Sequence, residues 1–179
     1  MDSAQGLSSS VSDRLVRHIV AFCAAATLIT SCTTRIASDA GGRVIGTVTR
    51  ISDGDTIVVS FGGTSERIRL IGVNTPETHH PTKPVECWGP EATLRTESLL
   101  PRGTPVAVVR DEEARDRYGR LLAYVYRASD NLFVNEALVR DGSARPYPFP
   151  PNTTHEADFA AAAHVAQQES LGLWGHCER

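Results

Sequence analysis

The sequence predicts an α+β domain, an OB-type five-stranded β-barrel of Greek-key order carrying three α-helices. Three observations point there. Three β-rich runs joined by tight turns follow one another within about thirty residues, 43–73. A helix opened by Pro90 interrupts the strands before two more appear. Two further helical segments close the chain, and five short strands with a helix before the fourth suit this barrel.

Taken in order, residues 43–51 alternate Val44, Gly46, Val48 and Arg50 with Ile45, Thr47, Thr49 and Ile51, the period of a strand. Ser52-Asp53-Gly54-Asp55 follows, and Asp-Gly is a strong hairpin signal. Residues 56–61 form the second strand, Gly62-Gly63 turns the chain, and residues 67–73 form the third, a meander. Residues 74–87 then hold Pro76, Pro81, Pro84 and the pair His79-His80, a loop long enough to suggest function.

Pro90 stands at a first helical position with Glu91 in the first turn. The helix runs to about Leu100, is stopped by Pro101, and turns Leu94, Ser98 and Leu99 inward. Residues 106–110 and 121–126 read as strands four and five, joined by the charged connector 111–120. Residues 131–140 form a second helix with Asp130 as N-cap, Val134, Ala137 and Leu138 on one side, and Gly142 ending it. A Pro- and aromatic-rich loop, 145–152, precedes Thr153 and Glu156, which have capping-box spacing. The last helix runs to about Leu171, with Gly172 after it. No repeat is visible.

The N-terminal 32 residues form a separate segment. Arg14, Arg17 and His18 precede the apolar run Ile19 to Ile29, the order of a secretory signal. The run is short for a membrane span. Ser31 before Cys32 resembles a lipoprotein cleavage site, so Cys32 is expected to carry lipid and provide the only membrane attachment. The alternative is ordinary cleavage nearby with Cys32 an incidental thiol. Residues 33–42 then serve as a linker and 43–179 as the domain, exported as a cell-surface lipoprotein or secreted. Export exposes Cys87 and Cys177 to oxidation, which favours a disulfide over two buried thiols. Closing a loop of about ninety residues contributes roughly 4 kcal/mol on a chain-entropy account.

A net charge of −3 argues against a protein that coats nucleic acid. It allows an enzyme needing a few cations in one pocket. Lys83 is the only lysine, and the other cations are arginines, whose planar fork grips phosphate with two hydrogen bonds. The histidines show no zinc-like spacing with the cysteines.

Four pieces carry candidate chemistry. Asp53-Gly54-Asp55-Thr56 sets two carboxylates at a hairpin, hard oxygen ligands for Ca²⁺ or Mg²⁺, though Asp-Gly alone usually marks only a turn. Arg69 sits in an apolar strand, either facing solvent on an edge or held rigidly for phosphate. Glu77 follows the stiffening Pro76 and can act as a general base. Asp116-Arg117-Tyr118-Gly119-Arg120 is a charged turn or a phosphate clamp, and the loop from Tyr147 to Phe149 can stack a base or pack on the body.

In order and spacing these pieces resemble the thermonuclease, staphylococcal nuclease-like family. The resemblance rests on Asp53-Gly54-Asp55-Thr56, Arg69-Leu70, Thr75-Pro76-Glu77, Gly89-Pro90-Glu91-Ala92, Asp116 to Arg120, Val134 to Arg140 and Thr154-His155-Glu156. It implies Ca²⁺-dependent hydrolysis of DNA and RNA at the 5′ P–O bond, leaving 3′-phosphate ends. It implies that Asp55 binds the ion with Asp53 nearby and the Thr75 carbonyl completing the protein ligands. It implies that Glu77 accepts a proton from the attacking water, or at least orients it, and that Arg69 and Arg120 hold the phosphate. Lys83 and Tyr118, and less closely Tyr147, match positions near the nucleotide. Asn74 departs from the pattern by standing where the family has a metal-binding Asp. Its amide oxygen can still ligate, with one charge fewer, so weaker Ca²⁺ binding or broader metal tolerance is expected. A monomer is expected. The competing reading is an inactive OB module that binds single-stranded nucleic acid; a third is a structural or adhesive surface lipoprotein.

Overall fold

The computed structural model describes residues 37–78, 82 and 84–177. Cys32, Lys83 and the His79-His80 pair lie outside the described residues. Strand β1 (Val44–Asp53) pairs antiparallel with β2 (Thr56–Phe61), which pairs with β3 (Thr64–Leu70). Two register shifts bend β1, so its first residues pair with β5 while its end reaches the hairpin at Asp53. Bulges of this kind re-aim side chains beside sites. Strand β4 (Val73–Asn74) follows β3, and helix α1 (Gly89–Leu99) precedes β5 (Pro105–Val109) and β6 (Leu121–Arg127). A parallel pairing of β3 with β6, Ile68 opposite Leu121, closes the five-stranded barrel predicted from the sequence.

The chain continues through β7 (Leu132–Phe133), α2 (Val134–Arg140), β8 (Arg145–Pro146), α3 (Glu156–Gln168) and the single turn α4 (Leu173–His176). The alternating apolar residues enter the barrel: Val48, Ile57, Val59, Ile68, Leu70, Val106 and Val125 are buried. Helices α2 and α3 cover one side with Leu138, Phe159 and Ala162. Each such Val, Leu, Ile or Phe contributes about 1.5–3 kcal/mol when fully buried. No described helix is long and apolar enough to cross a membrane.

Several predicted boundaries move. The third strand ends at Leu70 because the chain bends at Ile71-Gly72. Gly72 has φ +77°, and a Cβ there would stand 2.2 Å from the Phe159 ring. The bend frees Val73-Asn74 to pair with Arg145-Pro146. Asn135 locks it: its amide donates to Ile71 O at 2.9 Å while its oxygen accepts from Val125 N–H at 2.9 Å.

The inner face of α1 is Ala92, Thr96 and Leu99, whereas Leu94 is 63% exposed. A polar anchor turned the helix: buried Thr96 donates to Gly54 O at 2.6 Å. Asp130 does not cap α2. It pairs with Arg127 and accepts the Leu132 N–H, while Leu132-Phe133 joins the sheet and Phe133 stacks on Tyr126. Tertiary pairing therefore overrides local helix propensity there. The Thr153–Glu156 capping box does not form either. Only the Thr153 carbonyl accepts the Glu156 N–H, and the neighbouring Thr154 hydroxyl bonds to Asp111 at 3.0 Å.

Residues 37–42, placed by sequence in the linker, fold back on β1. Ile45 N–H donates to Ala37 O at 2.8 Å, and Asp39 accepts from the Gly41 and Arg43 amides. Cys87 and Cys177 are joined by a disulfide.

Candidate active site

The β1–β2 hairpin sets the site. A Cβ on Gly54 would lie 2.7 Å from the Thr75 side chain, so only glycine lets the 75–77 segment pack against this turn. Asp53 accepts the Asp55 N–H at 3.2 Å, shaping the turn. Asp55 is 6% exposed. One carboxylate oxygen accepts Thr56 Oγ1 at 3.1 Å; the other accepts Thr75 N–H at 3.1 Å and pairs with Arg69 at 3.0 Å. These bonds join the start of β2, β3 and the loop after β4 at a single carboxylate.

Arg69 does not face solvent from an edge. It is inside the barrel sheet, between its partners on β2 and β6. Its Nη1 donates to Leu70 O at 2.7 Å and Val73 O at 2.6 Å, and its Nη2 to Asn74 Oδ1 at 3.1 Å. The β3–β4 bend presents those two carbonyls, so the Gly72 conformation and the guanidinium geometry are coupled. Rigid placement of this kind suits a group that must meet developing charge without reorganising.

Arg120 arrives from the other side. Asp116, four residues earlier, accepts both its N–H at 2.9 Å and its Nε at 2.6 Å, while Arg120 Nη1 reaches Thr56 Oγ1 at 3.4 Å. A continuous path therefore links the guanidiniums: Arg69, Asp55, Thr56 hydroxyl, Arg120. Burial would raise Asp116, but hydrogen bonds from Arg120 and Tyr118 together with the Arg120 charge outweigh it and hold the carboxyl below its usual range. Asp53 moves the other way. Burial, then the neighbouring Asp55 carboxylate, with Glu77 adding in the same direction, push it up to about 6.

Asp53, Asp55, Arg69, Asp116 and Arg120 line one cleft of about 710 Å³, together with Glu77, Asn74 and Thr75, while the Thr56 hydroxyl is buried behind them. Tyr118 and Tyr147 line it too, 67% and 50% exposed, with the Arg117 guanidinium 4.8 Å over the Tyr118 ring. Flat exposed rings beside cations suit stacking of a base near a held phosphate. Among the predicted residues, Asp53, Asp55, Arg69, Asn74, Thr75, Glu77, Tyr118, Arg120 and Tyr147 thus share one cleft. Phe149 joins them, so the aromatic loop serves the cleft as well as the body.

Sequence reasoning assigned no role to Thr56, Asp116 or Glu86. The four-residue step from Asp116 to Arg120 was the available signal for one of them. Among the described residues, no group of three or more His, Cys, Asp and Glu side chains is arranged as a metal cage. A cation here would draw on Asp55 and Asp53, an amide oxygen and a backbone carbonyl. That is an all-oxygen set suited to a hard divalent ion.

The family model described as staphylococcal nuclease homologue matches residues 67–176. The chain is 41% identical over 127 residues to a thermonuclease of Staphylococcus intermedius, covering 71% of this chain and 74% of that one. It is 37% identical over 129 residues to a thermonuclease of Staphylococcus hyicus, covering 72% and 75%. It is also 37% identical over 129 residues to the endonuclease YncB of Bacillus subtilis, covering 72% of this chain and 60% of that protein.

Proposed function

The chain belongs to the staphylococcal nuclease homologue family and is a nuclease, and from that premise we propose calcium-dependent hydrolysis of DNA and RNA at the 5′ P–O bond, leaving 3′-phosphate ends. The observation that carries this reading is the Arg69–Asp55–Thr56–Arg120 path in the cleft that Glu77 also lines. A module that only binds single strands has no use for two preorganised guanidiniums beside a carboxylate.

The donor oxygens fit a hard cation. Asp53 and Asp55 repel one another across the turn, and a divalent ion relieves that repulsion. Asp55, Asp53, Asn74 and the Thr75 carbonyl would hold it. When bound, the ion neutralises phosphate charge and makes water more acidic. The protein's own part is distinct. Glu77 takes a proton from the attacking water. Arg69 and Arg120 bind the non-bridging oxygens as their charge grows. The water oxygen bonds to phosphorus as the P–O5′ bond breaks, the phosphate stays on the 3′ side, and the departing 5′ oxygen takes a proton from solvent. Purified protein is expected to cut both nucleic acids with calcium and to stop with a chelator. Undiminished cutting under chelation would sink the cation requirement, and 5′-phosphate products would sink the bond assignment.

Asn74 distinguishes this site. It is exposed, and its oxygen accepts from Arg69, so it presents a dipole where a carboxylate would present charge. Asn74→Asp is expected to tighten calcium on the order of tenfold, since affinity follows ligand charge. Calorimetric titration reads this independently of turnover, and unchanged affinity removes Asn74 from the ligand set.

Export with lipidation at Cys32 is part of the proposal. The signal-like order of residues 14–32 and the oxidised Cys87–Cys177 pair support it. Cys32→Ala should release the protein from the membrane fraction, and unaltered fractionation would count against the anchor.

A further inference from the structure

The loop between β4 and α1 carries Glu77 at one end and Glu86 at the other, and the two ends hold each other. Glu77 N–H donates to the Glu86 carboxylate at 3.0 Å, and Glu86 N–H donates to Glu77 O at 2.9 Å. Helix α1 begins directly on this pair. Gly89 N–H donates to Glu86 O at 3.1 Å, and a Cβ on Gly89 would stand 3.2 Å from Glu77 O. The helix therefore packs against the backbone of Glu77 with no room to shift inward.

The next residue after Glu86 is Cys87, bonded to Cys177 ninety residues away. Cys177 follows α4 directly as its C-cap, and the first residue of that turn, Leu173, is buried and donates its N–H to Gly142 O at 3.0 Å. Trp88 adds a ring contact to His176 at 4.4 Å. The segment 86–88 is thus tied covalently to a turn that is itself fastened to the body beyond α2.

We propose that Glu86 is a positioning residue for Glu77, and that the Cys87–Cys177 disulfide holds it in place, so hydrolysis is fast only in the oxidised protein. This rests on the reading of Glu77 as the base. The physical argument is alignment: a base displaced by about 1 Å can lose on the order of a hundredfold in rate. Glu86 lines the cleft, but its carboxylate is bonded to the Glu77 N–H, so its loss should lower kcat and leave KM nearly unchanged. Reduction is a two-electron exchange. A dithiol gives two electrons and two protons to the S–S bond, yielding two cysteine thiols and the cyclic disulfide of the reductant.

The test uses the full chain as wild type and four variants. Glu86→Ala is expected to lower kcat about tenfold or more with KM within about twofold. Glu86→Gln, which keeps an acceptor oxygen for the Glu77 N–H, is expected to restore most of it. In a Glu77→Ala background, Glu86→Ala is expected to add no further loss, because the group it positions is gone. Dithiothreitol at a temperature where the fold persists is expected to slow the wild type, reversibly on reoxidation, and to affect Glu77→Ala little. Full kcat in Glu86→Ala, or an undiminished loss in the Glu77→Ala background, overturns the proposal. The Glu86 variants keep the disulfide and so decide the positioning role, while an undiminished kcat in the reduced, still folded wild type overturns the part given to the disulfide. If Glu77→Ala itself keeps wild-type activity, it is the reading of Glu77 as base that fails, a different result.

Discussion

Arg69→Ala is expected to lower kcat by about 10²–10³-fold and to destabilise the fold by about 3–5 kcal/mol in the same protein. The catalytic part follows from losing one of two preorganised donors to the growing phosphate charge. The structural part follows from what Arg69 holds. Its side chain is 13% exposed and pairs with an Asp55 carboxylate that is 9% exposed. Its removal leaves that charge without its cation and leaves Leu70 O and Val73 O without this donor. Arg69→Lys keeps the charge but not the fork, so it should recover little of either effect. Urea denaturation beside steady-state kinetics reads both quantities. A variant with a lowered kcat and an unchanged midpoint would refute the coupling of site and fold at this residue.

Glu77→Ala is expected to cut kcat by about 10²–10⁴-fold, with a much smaller change in the unfolding midpoint than Arg69→Ala causes. Glu77 is only half-buried, on a loop outside the barrel sheet, and its backbone bonds to Glu86 survive the substitution. Its proposed role is proton transfer, so substrate affinity should hold while turnover falls. Glu77→Gln should be as slow as alanine, because an amide cannot take the proton. Activity in the glutamine variant comparable to wild type would reassign Glu77 from base to water-orienting group.

Much of the architecture was legible because barrel strands obey a period of two and short turns have characteristic residues. Asp53-Gly54-Asp55 marked the hairpin, Pro90 the start of α1, and the apolar alternation of β1 and β2 the barrel interior. The errors share one cause. The inward face of α1, the Asp130 cap and the capping box before α3 were each read from local preference, and each was decided by a distant partner. Thr96 is turned inward by Gly54 O, Phe133 is taken by β6, and Thr154 by Asp111.

The site divides the same way. The sequence by itself determined the chemical inventory, with its carboxylates at a turn, an arginine in an apolar strand, a glutamate after a proline and a second arginine after Tyr118-Gly119. Residue type and short-range spacing are local properties, and motifs record them directly. Only the tertiary structure decided that Arg69 and Arg120 meet through Asp55 and Thr56, that Asn74 spends its oxygen on Arg69, and that Glu86 and a disulfide stand behind Glu77. Those relations depend on barrel closure by the β3–β6 pairing and on a covalent bond spanning ninety residues. Contacts of such long range leave no period in the chain from which they can be read.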